Sequence, residues 1–191
     1  MMVYFMHFFK KFSVILIVVS ISLLIIDRFS YSEENEILIK DVVINDKENL
    51  KYINFNQEIS LDHLITKAIN KGIPLVFKVT VKIVEIKDIW LTKTVLKKVG
   101  YYQIEYKALR KVYKIKDING NKYEYRFIDD AIQKISKVEN LEFSFINKNK
   151  NKNYELWLNV NLERKKLPKP LQVNYFDRTW NVKSNKSINK L

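Results

Sequence analysis

The chain of 191 residues has no cysteine, three glycines, three prolines and two histidines. Without cysteine there is no disulfide framework, thiol nucleophile, Cys-ligated zinc, iron–sulfur site or lipid-modified N-terminal Cys. The glycines, Gly72, Gly100 and Gly120, lie too far apart for a P-loop or a dinucleotide fingerprint, so the usual phosphate cradles are excluded. Acidic residues are also scarce: 34 Lys and Arg stand against 21 Asp and Glu, a formal charge of +13. Lys, Asn and Ile recur throughout, a pattern that an AT-rich coding bias explains as well as function does. The charge alone is therefore no evidence for a nucleic-acid partner, and none is expected.

What is present begins with an export signal. Lys10 and Lys11 precede Ser13 to Ile26, an uncharged and mostly branched run. As a helix that run would span about 21 Å, short of a ~30 Å hydrocarbon core. Positive residues before a short apolar run, followed by Ser30-Tyr31-Ser32, read as a secretory signal peptide over residues 1–32 with a cut before Glu33. An uncleaved signal anchor is the alternative, because Val3 to Phe9 could lengthen the span. Either way the remainder is expected to be exported: periplasmic, or anchored to the inner membrane and facing the periplasm. Leaving out Lys10, Lys11, Arg28 and Asp27 takes the charged residues to 31 basic and 20 acidic, a charge of +11. The remaining length suits one domain, set at residues 33–176, with a polar, basic C-terminal tail at 177–191.

Strand periodicity dominates that domain. Leu75, Phe77, Val79, Val81 and Ile83 alternate with Lys78, Thr80 and Lys82. Tyr102, Ile104 and Tyr106 alternate with Tyr101, Gln103 and Glu105, and Tyr154, Leu156, Leu158, Val160 and Leu162 with Glu155, Asn159 and Asn161. One packed face and one wet face favour antiparallel pairing. Ile37 to Asn45 and Leu50 to Asn56 are weaker strand candidates. Asn119-Gly120 predicts a two-residue type I′ hairpin, whose central residues both need positive φ. Ser60 can cap a helix carrying Leu61, Leu64, Ile65, Ala68 and Ile69, which Gly72 ends and Pro74 cannot continue. Ile128, Ala131, Ile132 and Ile135 repeat the helical spacing behind Asp129 and Asp130, placed for the helix dipole. The expected fold is α+β: mainly antiparallel sheet, sandwich-like as one option, with two short amphipathic helices packed on it. Asn147 to Asn153 is too polar to bury and reads as a loop.

Catalytic constellations are thin. His63, the one histidine beyond the leader, sits about 200° round its helix from Leu61 and should face solvent. No Ser–His or Cys–His system and no His-rich metal site can be assembled, and no cofactor is expected. A pair of carboxylates could act as in glycosidases, and sequence leaves that pairing open. For Asp129-Asp130 the plainer role is the helix dipole. Tyr101, Tyr102, Tyr106, Tyr113, Tyr123 and Tyr125, with Lys interleaved, could form a stacking platform, although Tyr is simply a good strand former. Arg164-Lys165-Lys166 could meet anionic headgroups or be a solvated strand exit.

Ala68 to Val81, Trp90 with Lys93-Thr94-Val95, Tyr102 to Tyr113, Asp129-Asp130-Ala131, Leu167 to Asn174 and Trp180 together resemble an exported proteobacterial family, domain-of-unknown-function family 4390. Their order and spacing cover roughly residues 37–184. The resemblance implies an N-terminal signal and an envelope location, carries over no catalytic or ligand-binding residue, and implies by gene neighbourhood a link to a membrane sensor kinase. Over Glu85 to Leu91 this chain keeps only Trp90 of the aromatic-rich, Arg-containing stretch usual in the family.

The expectation is a non-enzymatic envelope module that binds another envelope protein, its oligomeric state open. A carboxylate enzyme acting on envelope glycans and a basic membrane-surface binder are the alternatives. The membrane is otherwise a partner only through an uncleaved leader. Leu167-Pro168-Lys169-Pro170-Leu171 is expected to be a stiff, extended connector, because each Pro restrains itself and its predecessor. It would position Gln172 to Trp180 and face a partner, or act only as a clip. Lys169, Gln172, Trp180 and Trp90 are the candidate partner-facing residues.

Overall fold

A computed structural model describes residues 35–47, 50–87, 91–145, 152–172 and 178–191. The expected leader, Trp90 and most of the Asn147 to Asn153 loop lie outside the described residues. In chain order the elements are β1 (Glu36–Lys47), β2 (Leu50–Ser60), α1 (His63–Asn70), β3 (Leu75–Ile86), β4 (Thr92–Lys107), β5 (Val112–Lys116) and β6 (Lys122–Tyr125). There follow α2 (Ile128–Ile135), β7 (Lys137–Phe143), β8 (Asn153–Leu162), a 3-10 turn (Arg164–Lys166), one helical turn α3 (Lys169–Gln172), a second 3-10 turn (Arg178–Trp180), β9 (Lys183–Ser184) and β10 (Ser187–Lys190).

The fold is α+β and dominated by one mixed sheet, in the order β6-β5-β4-β3-β8-β9-β1-β2-β7, with β10 also on β8. Among the described residues only β1 and β9 pair in parallel. Instead of two stacked sheets there is one that curls. Gln57 of β2 donates through Nε2 to the Tyr102 hydroxyl of β4 at 2.8 Å, and Asn119 Nδ2 of the β5–β6 loop donates to the Glu139 carbonyl of β7 at 3.0 Å. The edge strands β6 and β7 flank α2, so that helix bridges the seam of the curl. The concave side holds the core. Phe77, Val79, Val81 and Ile83 of β3 and Leu156, Leu158 and Val160 of β8 are all fully buried, facing the interior as their alternation predicts. Each contributes about 1.5–3 kcal/mol by leaving water. Phe77 stacks on its cross-strand neighbour Tyr102, with ring centroids 5.0 Å apart. At Gly100 of β4 the sheet needs a bare backbone: a Cβ there would lie 2.6 Å from the Ile118 side chain, which closes over it from the β5–β6 loop.

Both helices form where the periodicity places them. In α2 the buried residues are Ala131 and Ile135, and Asp129 and Asp130 occupy the first turn. In α1, Ile65, Ala68 and Ile69 are buried, but Leu64 is exposed. Its cap corrects the expectation of Ser60, which ends β2 opposite Glu36. Asp62 caps instead, its Oδ1 accepting from Ile65 N at 2.7 Å, and Asn35 holds that carboxylate from 27 residues away. Gly72, at φ +83°, terminates the helix: Ile73 N reaches Ala68 O and Gly72 N reaches Ile69 O, the paired bonds of a Schellman motif.

Three further expectations are corrected. The Asn119-Gly120 hairpin forms, but only Gly120 has positive φ, and Gly120 N bonds Asp117 O while Asp117 N bonds Asn121 O. That is a three-residue loop with glycine in the left-handed position, favoured because Asp117 accepts from the Asn119 and Asn121 amides. The connector is not extended throughout. Leu167 is extended, at φ −68° and ψ 157°, and buried, but Lys169 and Pro170 lie in the single turn α3. A first helical turn needs no amide donors, so both prolines fit it, and Leu171 N closes onto Pro168 O at 2.9 Å. Finally, residues 178–191 are no tail: β9 and β10 pair with β8, β9 joins it to β1, and Val182 is 1% exposed.

Candidate docking face

The convex side of the sheet carries the residues that alternate with the core. Across β4, β3 and β8 the register aligns Tyr101, Lys78 and Asn161 in one row, and Val99, Thr80 and Asn159 in the next. A third row holds Lys97, Lys82 and Trp157, continued by Ile188 of β10. Tyr101 and Ile188 are about half exposed, Lys97 is exposed, and Lys82 is half-buried. Lys186 lies over the Trp157 ring and Lys190 stands opposite Glu155.

Its electrostatics are one-sided. Glu155 accepts from Trp157 Nε1 at 2.8 Å, and Glu163 sits 3.4 Å from Lys78. Among the described residues, Lys82, Lys97 and Lys190 form no ion pair. Lys82 and Lys97 are direct cross-strand neighbours, an arrangement in which like charges destabilise a sheet. At the rim of the sheet's inner side the opposite holds: Lys152 pairs with Glu85 at 2.8 Å. That hydrogen bond, opposed by burial, holds the Glu85 carboxyl below its ordinary range and the Lys152 ammonium above its own.

The expected partner-facing residues scatter. Lys169 is exposed on α3. Gln172 is turned inward, its amide donating to Lys165 O at 3.1 Å and to Leu167 O, so it closes the connector rather than offering a contact. Trp180 is 6% exposed and belongs to the core, which removes its indole as a contact; Trp90 lies outside the described residues. Gln172, Asn161 and Lys183 line one recess, so the connector borders the basic face.

The six tyrosines form no platform. Tyr102 and Tyr113 are core residues, Tyr106 tilts against Tyr113 at 4.8 Å, and Lys134 covers Tyr123 at 4.4 Å. Tyr113 donates to Asn70 Oδ1 at 2.7 Å, pinning α1 to β5, and burial pushes its hydroxyl pKa up, Tyr106 and Asp129 adding to the effect. His63, Asp129 and Asp130 are exposed. Among the described residues no three His, Asp or Glu side chains cluster as metal ligands, and no helix is long and apolar enough to cross a membrane. Sequence reading found the wet sides of β3 and β8. It missed Lys97 because the register across the β3–β4 hairpin is not written in either strand alone.

These features define a sheet-dominated α+β domain with a basic convex face. A family model described as Domain of unknown function (DUF4390) matches residues 34–189, and the chain belongs to that family. No curated protein matches the chain, and no solved structure does.

Proposed function

We propose that this domain is an exported, non-enzymatic interaction module of the cell envelope, and that its convex β4–β3–β8–β10 face docks an acidic surface on another envelope protein. The observation that carries the reading is the Lys82–Lys97 opposition. The two lysines are direct partners across neighbouring strands and neither forms an ion pair among the described residues, an arrangement with a cost to the fold that an acidic partner would reverse. Tyr101, Trp157 and Ile188 supply apolar area around them, a mixture suited to a protein surface. The extracytoplasmic domain of a membrane sensor kinase is the candidate partner. The charge also suits anionic headgroups, and the test separates the two.

A photo-crosslinking amino acid placed at position 97 should yield a protein adduct in intact cells, mapped to an acidic segment. The same group at position 142, on the edge strand β7, should yield none of that species. Adducts at 97 that contain only lipid, or equal adducts from both positions, would overturn the reading.

A further inference from the structure

A cavity of about 140 Å³ lies between the β5–β6 loop, the end of α2 and the start of β7. It is separate from the convex face. Ile115, Ile118, Ile135 and Val138 give it apolar walls, and Lys134 and Lys137 also line it. Tyr102 lines it too, although only 3% exposed, so it belongs to the buried end.

The hydrogen bonding at that end is incomplete. Gln57 is 3% exposed, and its Nε2 donates to both the Tyr102 hydroxyl and Ile135 O at 2.8 Å. The Tyr102 oxygen is therefore an acceptor there, and none of the described hydrogen bonds takes its own proton. Gln57 Oε1 has no hydrogen-bond partner among the described residues. Burial pushes the Tyr102 pKa up, so the hydroxyl stays a donor at any physiological pH. A buried donor left unmet costs about 1–3 kcal/mol. Polarisation along the Gln57–Tyr102 chain makes that proton a better donor than an isolated phenol.

The charges beside it differ in how far they are committed. Asp117 lines the cavity, but its carboxylate already accepts from the Asn119 and Asn121 amides, Asn121 Nδ2 and the Tyr123 hydroxyl. Among the described residues the exposed Lys137 forms no ion pair, and Lys134 has the Tyr123 ring as its charge contact. Of the two acids that line the cavity, the exposed Glu139 is the one with no side-chain partner among the described residues. Among the charged groups of the lining, two ammonium groups thus stand against one uncommitted carboxylate, with the Tyr102 proton and Gln57 Oε1 unmet at the buried end. At ~30 Å³ per water, the space holds roughly five water-sized groups.

We infer that this cavity binds a small organic carboxylate with a short apolar body, one oxygen accepting the Tyr102 proton and its charge facing Lys134 and Lys137. The body lies against Ile118 and Val138. Asn119, bonded to Glu139 O across the mouth, ties the loop over it.

Titration of the isotopically labelled protein with butyrate, and with butyramide as the uncharged isostere, tests this by amide chemical shifts. Butyrate should give saturable shifts centred on Ile118, Asn119 and Val138. Butyramide should bind at least several-fold more weakly. Tyr102→Phe should weaken butyrate roughly tenfold, the worth of one hydrogen bond to a charged group. Because that variant also strips Gln57 of a partner, Lys137→Gln provides a second arm: affinity should fall several-fold at low salt while the unfolding midpoint stays at the wild-type value. Absence of saturable shifts with butyrate, equal affinity for butyramide, or unchanged affinity in Lys137→Gln would overturn the inference.

Discussion

Strand β8 and residues 178–191 are neighbours in one sheet, yet they are built on different terms. In β8 every second side chain, from Tyr154 to Leu162, is buried, and its burial supplies the stability. Residues 179–191 bury little beyond Trp180 and Val182, and in their short strands β9 and β10 half-buried side chains alternate with exposed ones. They are held through backbone groups: Leu162 N donates to Val182 O at 2.9 Å and Leu191 N to Tyr154 O at 3.0 Å. Polar side chains add to this, Asn185 Oδ1 accepting from Ile39 N and Ser184 Oγ from Val160 N, each at 2.8 Å. A segment can thus complete a sheet by satisfying its open amides while showing almost no hydrophobic period.

Leu158→Ala attacks the first kind of support and should cost about 2–5 kcal/mol in urea unfolding, since a fully buried side chain is removed from the middle of the sheet. Val182→Ala probes the second. It should cost about 1–2 kcal/mol, because Val182 is the buried anchor of an otherwise polar stretch. A cost near zero would show that residues 178–191 behave as the tail their composition suggests. Glu85→Gln separates electrostatic from apolar support. The Glu85 carboxyl is held below its ordinary value, so its pair with Lys152 stabilises the fold above the unfolded pKa of about 4.3 and fades as pH falls through the lowered folded value. The melting-temperature gap between wild type and variant should therefore be open at neutral pH and close in acid. Lys169→Ala, on an exposed turn, should change stability by less than about 0.5 kcal/mol.

The same division explains what could be read from sequence. The alternation in β3 and β8 and the stripe of α2 report burial directly, and those elements lie where the pattern puts them. The sequence points to Ser60 as the α1 cap, whereas the structure uses Asp62, which Asn35 holds in place through a contact that no local pattern encodes. The prolines of the connector indicate lost donors, a condition met equally by an extended chain and by a first helical turn. Strands β9 and β10 carry too little apolar sequence to announce themselves. The candidate sites were the least legible part. Gln57 meets Tyr102 across 45 residues of chain because the sheet curls, and Lys97 meets Lys82 only once the hairpin register is known.

The central claim is that the Lys82–Lys97 row is kept for binding at some cost to folding, the reverse of the Glu85–Lys152 pair. Lys97→Glu tests it most directly, read by urea unfolding and by crosslinking in the same strain, with the photo-crosslinking residue now at position 101 of the same face. Placing an acid opposite Lys82 should raise stability by about 0.2–1 kcal/mol. The protein adduct formed from position 101 should be lost at the same time. A variant that is destabilised, or that is more stable yet keeps the adduct at wild-type yield, would contradict the account.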